Sequence, residues 1–253
     1  LWVPGRRLRK TPVDEFPNVP APFQEEYILK ISPDGEVLRE ISILDVVFGS
    51  KYEGVLFANG AHAAQVEVPL DHDFTHLNDI EVLAPQMAQA FSLFEAGDLL
   101  VSLRNVNLLL VLSPESKQIK WSMTGPYLRQ HDPDFLPTGR ISVFDNRRGG
   151  GKIFGGSRIL ELDPITGKVV TVYGDRDDEQ FYTETMGDHQ RLPNGNILIT
   201  ESEAGHAFEV TAEGEVVWSF VNRWDDDSVA SIGRAVRYPE RYMASMKQEA
   251  CHD

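Results

Sequence analysis

Gln130-His131-Asp132-Pro133-Asp134-Phe135-Leu136-Pro137-Thr138-Gly139-Arg140-Ile141-Ser142-Val143-Phe144-Asp145-Asn146 sets a lone histidine ahead of a run of β-formers entered through a glycine. Two other stretches copy the plan. Gly187-Asp188-His189-Gln190-Arg191-Leu192-Pro193-Asn194-Gly195-Asn196-Ile197-Leu198-Ile199-Thr200 repeats it with Leu-Pro-x-Gly before the β-formers. His76-Leu77-Asn78-Asp79 opens a third copy, whose apolar run follows Gly97 as Asp98-Leu99-Leu100-Val101-Ser102-Leu103-Arg104-Asn105. A histidine recurring at one point of a repeated strand unit marks a face on which the repeats can converge.

Hairpins stand between these units. Residues 26–43 alternate apolar and polar on both sides of Pro33-Asp34-Gly35, and the same pattern returns at 109–121, 159–173 and 207–220. Taking Ile31, Leu112, Leu162 and Val210 as equivalent last residues before each turn, the steps are 81, 50 and 48 residues. A period of about fifty residues with several short strands is the signature of a propeller blade. The sequence therefore predicts an all-β fold, a β-propeller with about four blade units in one domain, 1–253. Residues 98–104, 140–145 and 196–201 read as the inner strands.

Around the repeats, residues 1–25 read as a strand remnant at Leu1-Trp2-Val3 and an extended connector carrying five prolines, with Arg6-Arg7-Leu8-Arg9-Lys10 as a solvated loop. Blade repeats fill 26–222. Residues 44–75 read as a loop, Ala84 to Phe91 as a short helix, and 223–253 as a tail with a helix from Pro239 to Glu249. The Leu1 start and the Trp2 remnant suggest a larger ring whose first blades are missing from this chain.

The chain has 253 residues and a net charge of −15, which opposes non-specific binding to nucleic acid or anionic lipid. No apolar run approaches the ~18 residues that would span a bilayer. Cys251 is the single cysteine, so no internal disulfide can form.

In a propeller, the loops leading to the inner strands gather at one mouth, so His76, His131 and His189 can meet although they lie 55 and 58 residues apart. Taken singly, each is also readable as a turn histidine bonding a backbone carbonyl. Arg104 closes a strand at the same end. There it offers a forked cation for sulfate, phosphate or carboxylate, or else a structural pair with Asp79 or Asp145. Asn78 would add a neutral donor. Asp132, Asp134, Asp145 and Asn146 could instead ligate Ca²⁺, although no EF-hand-like spacing supports it. No His-Glu-x-x-His, Gly-x-Ser-x-Gly or phosphate-loop pattern occurs, and no metal or other cofactor is expected.

His76-x-Asn78-Asp79, Ser102-Leu103-Arg104-Asn105, Trp121, Gln130-His131-Asp132, Phe144-Asp145-Asn146, Gly156-Ser157-Arg158 and Leu192-Pro193-Asn194-Gly195-Asn196 occur in that order. Over residues 76 to 222 this combination resembles the arylsulfotransferase family of bacterial β-propellers. The resemblance implies six blades in the full-length protein. It also implies transfer of a sulfuryl group from a small-molecule phenolic sulfate ester to a phenolic acceptor through a sulfohistidine, in a periplasmic or otherwise exported setting. By motif, His131 is the implied nucleophile, with His76, Asn78 and Arg104 around the sulfuryl oxygens and His189 nearby. The family's further histidine from an earlier blade has no counterpart here. The other readings are a non-catalytic propeller that binds a ligand or partner, and a Ca²⁺-dependent hydrolase of six-bladed type.

Overall fold

The structure, a computed structural model, describes residues 1–14, 21–56, 73–149, 151–240 and 242. Its strands form four antiparallel sheets, each assembled in chain order. The first has three strands, β1 (Trp2–Arg9), β2 (Phe23–Ile31) and β3 (Val37–Ser42). The second holds β4 (Leu77–Val82), β5 (Leu99–Leu103), β6 (Leu108–Leu112) and β7 (Ile119–Thr124). The third holds β8 (His131–Phe135), β9 (Ile141–Asp145), β10 (Arg158–Leu162) and β11 (Val169–Tyr173). The fourth holds β12 (Asp188–Arg191), β13 (Ile197–Glu201), β14 (His206–Val210) and β15 (Val216–Val221). These are the blades of a β-propeller.

Packing explains the apolar runs. Both faces of a blade meet neighbours, so successive residues of β5 and β6 point into different cores. Leu99, Val101, Leu103, Leu108, Leu110 and Leu112 join Phe23, Ile28 and Ile41 of the first sheet. Leu100, Leu109 and Val111 join Ile141, Val143, Leu160 and Leu162 of the third. Phe144 and Ile159 then face Ile197, Ile199, Phe208 and Val210 of the fourth. The cores thus alternate with the sheets.

The four hairpins read from sequence are present as β2–β3, β6–β7, β10–β11 and β14–β15. The inner strands lie one step earlier than the sequence reading put them. β1 packs beside β4, β4 beside β8 and β8 beside β12, so the first strand of each sheet is the inner one. Residues 98–104, 140–145 and 196–201 supply second strands. The true inner strands, such as His131-Asp132-Pro133-Asp134-Phe135, are short and polar because they flank the axis rather than a core. They therefore lack the alternation that reveals a half-buried strand.

The start of the chain also differs from expectation. Trp2–Arg9 pairs with β2 along its whole length, and Pro4 is tolerated because this innermost strand has a ladder partner on one side only. Its basic run is not a solvated loop: Arg6, Arg7 and Arg9 pair with Glu26, Glu40 and Glu25. Within 44–75, α1 (Ile43–Gly49) is a helix capped by the Ser42 side chain at the Asp45 N–H, burying Ile43, Leu44, Val46 and Val47. A single 3₁₀ turn, Ala88–Ala90, stands where a short helix was expected. The expected helix of the tail falls mostly outside the described residues, as do His62, His72 and His252. No helix among the described residues is long and apolar enough to cross a membrane.

Candidate functional site

His131 opens β8 through an irregular backbone. Arg129 and Asp132, on either side of Gln130-His131, have φ of 60° and 48°, left-handed values that cost a non-glycine residue about 1 kcal/mol or more. Pro133 follows inside a bulge between His131 and Asp134, where the ladder needs no N–H. Gln130, wholly buried, pins the segment by donating to Ser102 Oγ at 3.1 Å and to the Leu108 carbonyl at 3.2 Å. Asn78 Nδ2 donates to the Gln130 carbonyl at 2.8 Å. The residue read as a substrate donor therefore ties β4 to the peptide that presents His131.

Asn146 sets the histidine's tautomer. Its Nδ2 donates to the Thr183 and Met186 carbonyls, at 3.0 and 2.7 Å, which turns Oδ1 toward His131 Nδ1 at 2.7 Å. An amide oxygen only accepts, so Nδ1 carries the proton and the neutral ring keeps its lone pair on Nε2. The His131 pKa is pushed down to about 4. Burial is the largest cause, and the charges of Arg104 and His76 add to it against the bonds from Asn146 and the Arg129 carbonyl. The ring is neutral at pH 7.

Arg104 and His76 are joined through their backbones, Arg104 N–H to the His76 carbonyl at 3.0 Å. Glu26, buried in β2, holds the approach to β4 by accepting from Thr75 Oγ1 and, at 2.8 Å, from the Leu77 N–H. His76 Nδ1 meets Asp73 Oδ2 in a short contact. A carboxylate accepts, so this ring too presents its Nε2 lone pair when neutral.

Arg104 Nη2 reaches Asn105 Oδ1 at 3.5 Å, and Arg129 Nη1 bonds the same oxygen. Neither arginine has a carboxylate within ion-pairing distance among the described residues, and Arg104 Nε is buried with no hydrogen-bond partner. Burial lowers the pKa of Arg104 first, then repulsion from Arg129 and Arg148, against the pull of Asp73. Burial and Arg148 do the same to Arg129. In a chain of net charge −15, two half-buried guanidinia sharing one neutral oxygen leave positive charge available to an anion. The structural pairing of Arg104 with Asp79 or Asp145 does not occur. Asp145 instead takes Arg158 at 2.8 Å and Arg147 at 3.7 Å. With Asp145 and Asn146 so engaged, the four-residue Ca²⁺ set does not assemble.

His189 joins a different group. It is fully buried, and its backbone N–H and Nδ1 meet Asp132 Oδ2 at 2.6 and 2.8 Å. Despite burial, the bonds and charge of Asp132 raise its pKa. His206 pairs with Glu201 and Ser219, away from these residues. Sequence reasoning passed over Arg129, although it directly precedes Gln130. It also missed the link from His131 to Asn146, which only the closing of β8 on β9 creates.

Carboxyls crowd the inner strands around Asp132. Asp79 is pushed up to about 7, and Glu81, Asp134 and Asp188 to about 8. Burial is the largest cause in each, followed by repulsion among the carboxylates, in which Asp132 acts on all four. A carboxyl whose pKa is raised by folding supports the fold fully below its unfolded value near 4 and loses that support as pH rises through 7 to 8. In chelating buffer, the urea midpoint should therefore fall between pH 6 and 9, and Asp134→Asn should flatten the slope. An unchanged slope in that variant would contradict the assignment.

The described residues thus bring a neutral, tautomer-locked imidazole together with guanidinia that have no carboxylate partner among them, an arrangement able to hold an anion. Residues 14–223 match the model of the arylsulfotransferase (ASST) family, and the chain belongs to that family. No curated protein matches it. Solved structures similar to it include a protein of unknown function from Bacteroides caccae, at 15% identity over 78% of this chain and 54% of that one, TM-score 0.42. Selenomethionine-substituted virginiamycin B lyase from Staphylococcus aureus is similar at 11% identity over 87% and 60%, TM-score 0.41. The Dos1 propeller is similar at 10% over 83% and 48%, TM-score 0.44. The chain spans about half the length of these structures, 48 to 60%.

Proposed function

We propose that this site transfers a sulfuryl group from a phenolic sulfate ester to a second phenol, with His131 as the covalent carrier. One observation carries the reading. It is the neutral His131 ring, its Nδ1–H held by Asn146, beside Arg104 and Arg129, which have no carboxylate partner among the described residues.

In the first half-reaction the Nε2 lone pair attacks sulfur, the N–S bond forms, and the S–O bond to the aryl group breaks. The aryl oxide leaves with the electron pair. The ring, now cationic, keeps its Nδ1–H on the Asn146 oxygen. Arg104 and Arg129 hold the sulfonyl oxygens and offset charge in the transition state. In the second half-reaction the acceptor phenol gives its proton to His76 Nε2, whose ring Asp73 orients, and its oxygen attacks sulfur while the N–S bond breaks. The aryl oxide leaves as the anion in the first half-reaction, and the proton that His76 takes from the acceptor in the second passes to solvent, where it balances that anion, so the cycle consumes no net acid or base. The reading carries with it a periplasmic or otherwise exported setting, open to test by cell fractionation.

The protein incubated with 4-nitrophenyl sulfate should release nitrophenolate at a rate that depends on added phenol. Double-reciprocal plots should be parallel, as expected for two displacements at one site. Release should be equal with and without chelator. Tight binding of the ester with no release would favour a propeller that only binds its ligand, and release abolished by chelator would favour metal-dependent hydrolysis.

A further inference from the structure

A second constellation lies beside the first, on the inner strands. β4 contributes Asp79 and Glu81, β8 Asp132 and Asp134, and β12 Asp188 and His189. One candidate ligand atom from each of Asp132, Asp134 and His189 falls within 4.8 Å of the others. Five carboxyl groups are met by few cations. Arg234 Nε sits 2.7 Å from Asp188 Oδ2, and His189 Nδ1 lies 2.8 Å from Asp132 Oδ2.

Carboxylates alone would make no site, but the polar atoms left over around them point to a missing partner. Ser142 is wholly buried, and its hydroxyl has no hydrogen bond. It is paired across the ladder with Asp134, so the hydroxyl rises from the same face of the sheet as that carboxylate. Asp188 Oδ1 and His189 Nε2 are likewise buried and unpartnered, on residues 6% and 1% exposed. Buried polar atoms in a folded protein are seldom left unbonded, and an ion is one of the few groups that would satisfy several at once.

We propose that Asp132, Asp134 and His189 form a divalent-cation site that ties β8 to β12. Two carboxylates and an imidazole favour a first-row ion such as Mn²⁺ or Zn²⁺ over Ca²⁺, which prefers an all-oxygen cage. Sequence spacing hides the set, because His189 stands 57 residues from Asp132. The site goes beyond the sulfuryl-transfer reading and holds whether or not His131 carries a sulfuryl group. Through Asp132, the residue after the histidine, the ion would also steady the start of β8.

The test is calorimetric titration of the chelator-treated protein with MnCl₂. One equivalent should bind, and CaCl₂ should bind at least about 10-fold more weakly. Asp134→Asn should weaken Mn²⁺ binding about 100-fold. Changing Asp225, Asp226 and Asp227 of the exposed tail to Asn together should leave it unaltered. Pulsed electron paramagnetic resonance of the Mn²⁺ form of the unaltered protein should show nitrogen coupling from one imidazole. His189→Gln, which keeps a side chain able to donate to Asp132, should remove it. Absence of one-equivalent binding, retained affinity in Asp134→Asn, or a Mn²⁺ spectrum without nitrogen coupling would each overturn the proposal. The spectrum of the unaltered protein decides even if the variants fail to fold.

Discussion

Replacing His131 with asparagine should lower phenol-dependent release of nitrophenolate by about 10⁴-fold or more, the scale on which removal of a nucleophile acts. The fold should survive. The His131 side chain belongs to none of the three apolar cores, and its hydrogen bond to Asn146 is a contact that an asparagine side chain can in part replace. Because its pKa lies at about 4, labelling of the unaltered protein by a donor without acceptor should be flat from pH 8 to 5 and fall only as the ring protonates near 4. A histidine with the unperturbed value would begin to fail near 6.5. Substantial turnover by His131→Asn would end the covalent reading, and an acid limb at 6.5 would show that the burial and arginine field around this ring are misassigned.

Arg104→Lys should reduce turnover by about 10²-fold, within the range seen when one donor to a developing oxyanion is lost. Charge is kept in this variant, whereas the planar fork is not. Lysine also cannot reach Asn105 Oδ1 while engaging two sulfonyl oxygens. The effect should fall mainly on kcat. The variant should still accumulate labelled protein, slowly, because the nucleophile is intact, and His131→Asn should accumulate none. Equal activity of Arg104→Lys and the unaltered protein would mean that Arg104 is not among the groups that contact the transferred group.

The hairpins and the fifty-residue step were legible because in each one a largely buried, β-rich strand runs into a turn sequence at the hairpin tip. The inner strands were hidden for the converse reason. Leu77-Asn78-Asp79-Ile80-Glu81-Val82 and Asp188-His189-Gln190-Arg191 obtain their order from neighbouring blades rather than from a buried face of their own. Likewise, after the strand remnant at Leu1-Trp2-Val3, the chain from Pro4 to Arg9 reads as a basic, proline-bearing connector until Glu25, Glu26 and Glu40 are set opposite its arginines.

The site was legible as residue types but not as partners. His131, His76 and Arg104 could be named from their repeated places before and after strands. Asn146 fixing the His131 tautomer, Asp73 holding His76, and Arg129 leaning on the same amide as Arg104 all depend on side chains meeting across strands and blades. His189 was grouped with the other histidines by register, yet its ring turns to Asp132 and the acidic inner strands. Register places a residue on a strand, and the neighbouring blade decides what it serves.

The most direct test of the central claim is intact-mass analysis after brief exposure to 4-nitrophenyl sulfate without acceptor, at mildly alkaline pH, followed by peptide mapping. The account predicts an increment of one SO₃ group per chain, confined to the peptide bearing His131, and its discharge when phenol is added. An increment on His76 or His189, or full turnover with no labelled chain at any time, would contradict it.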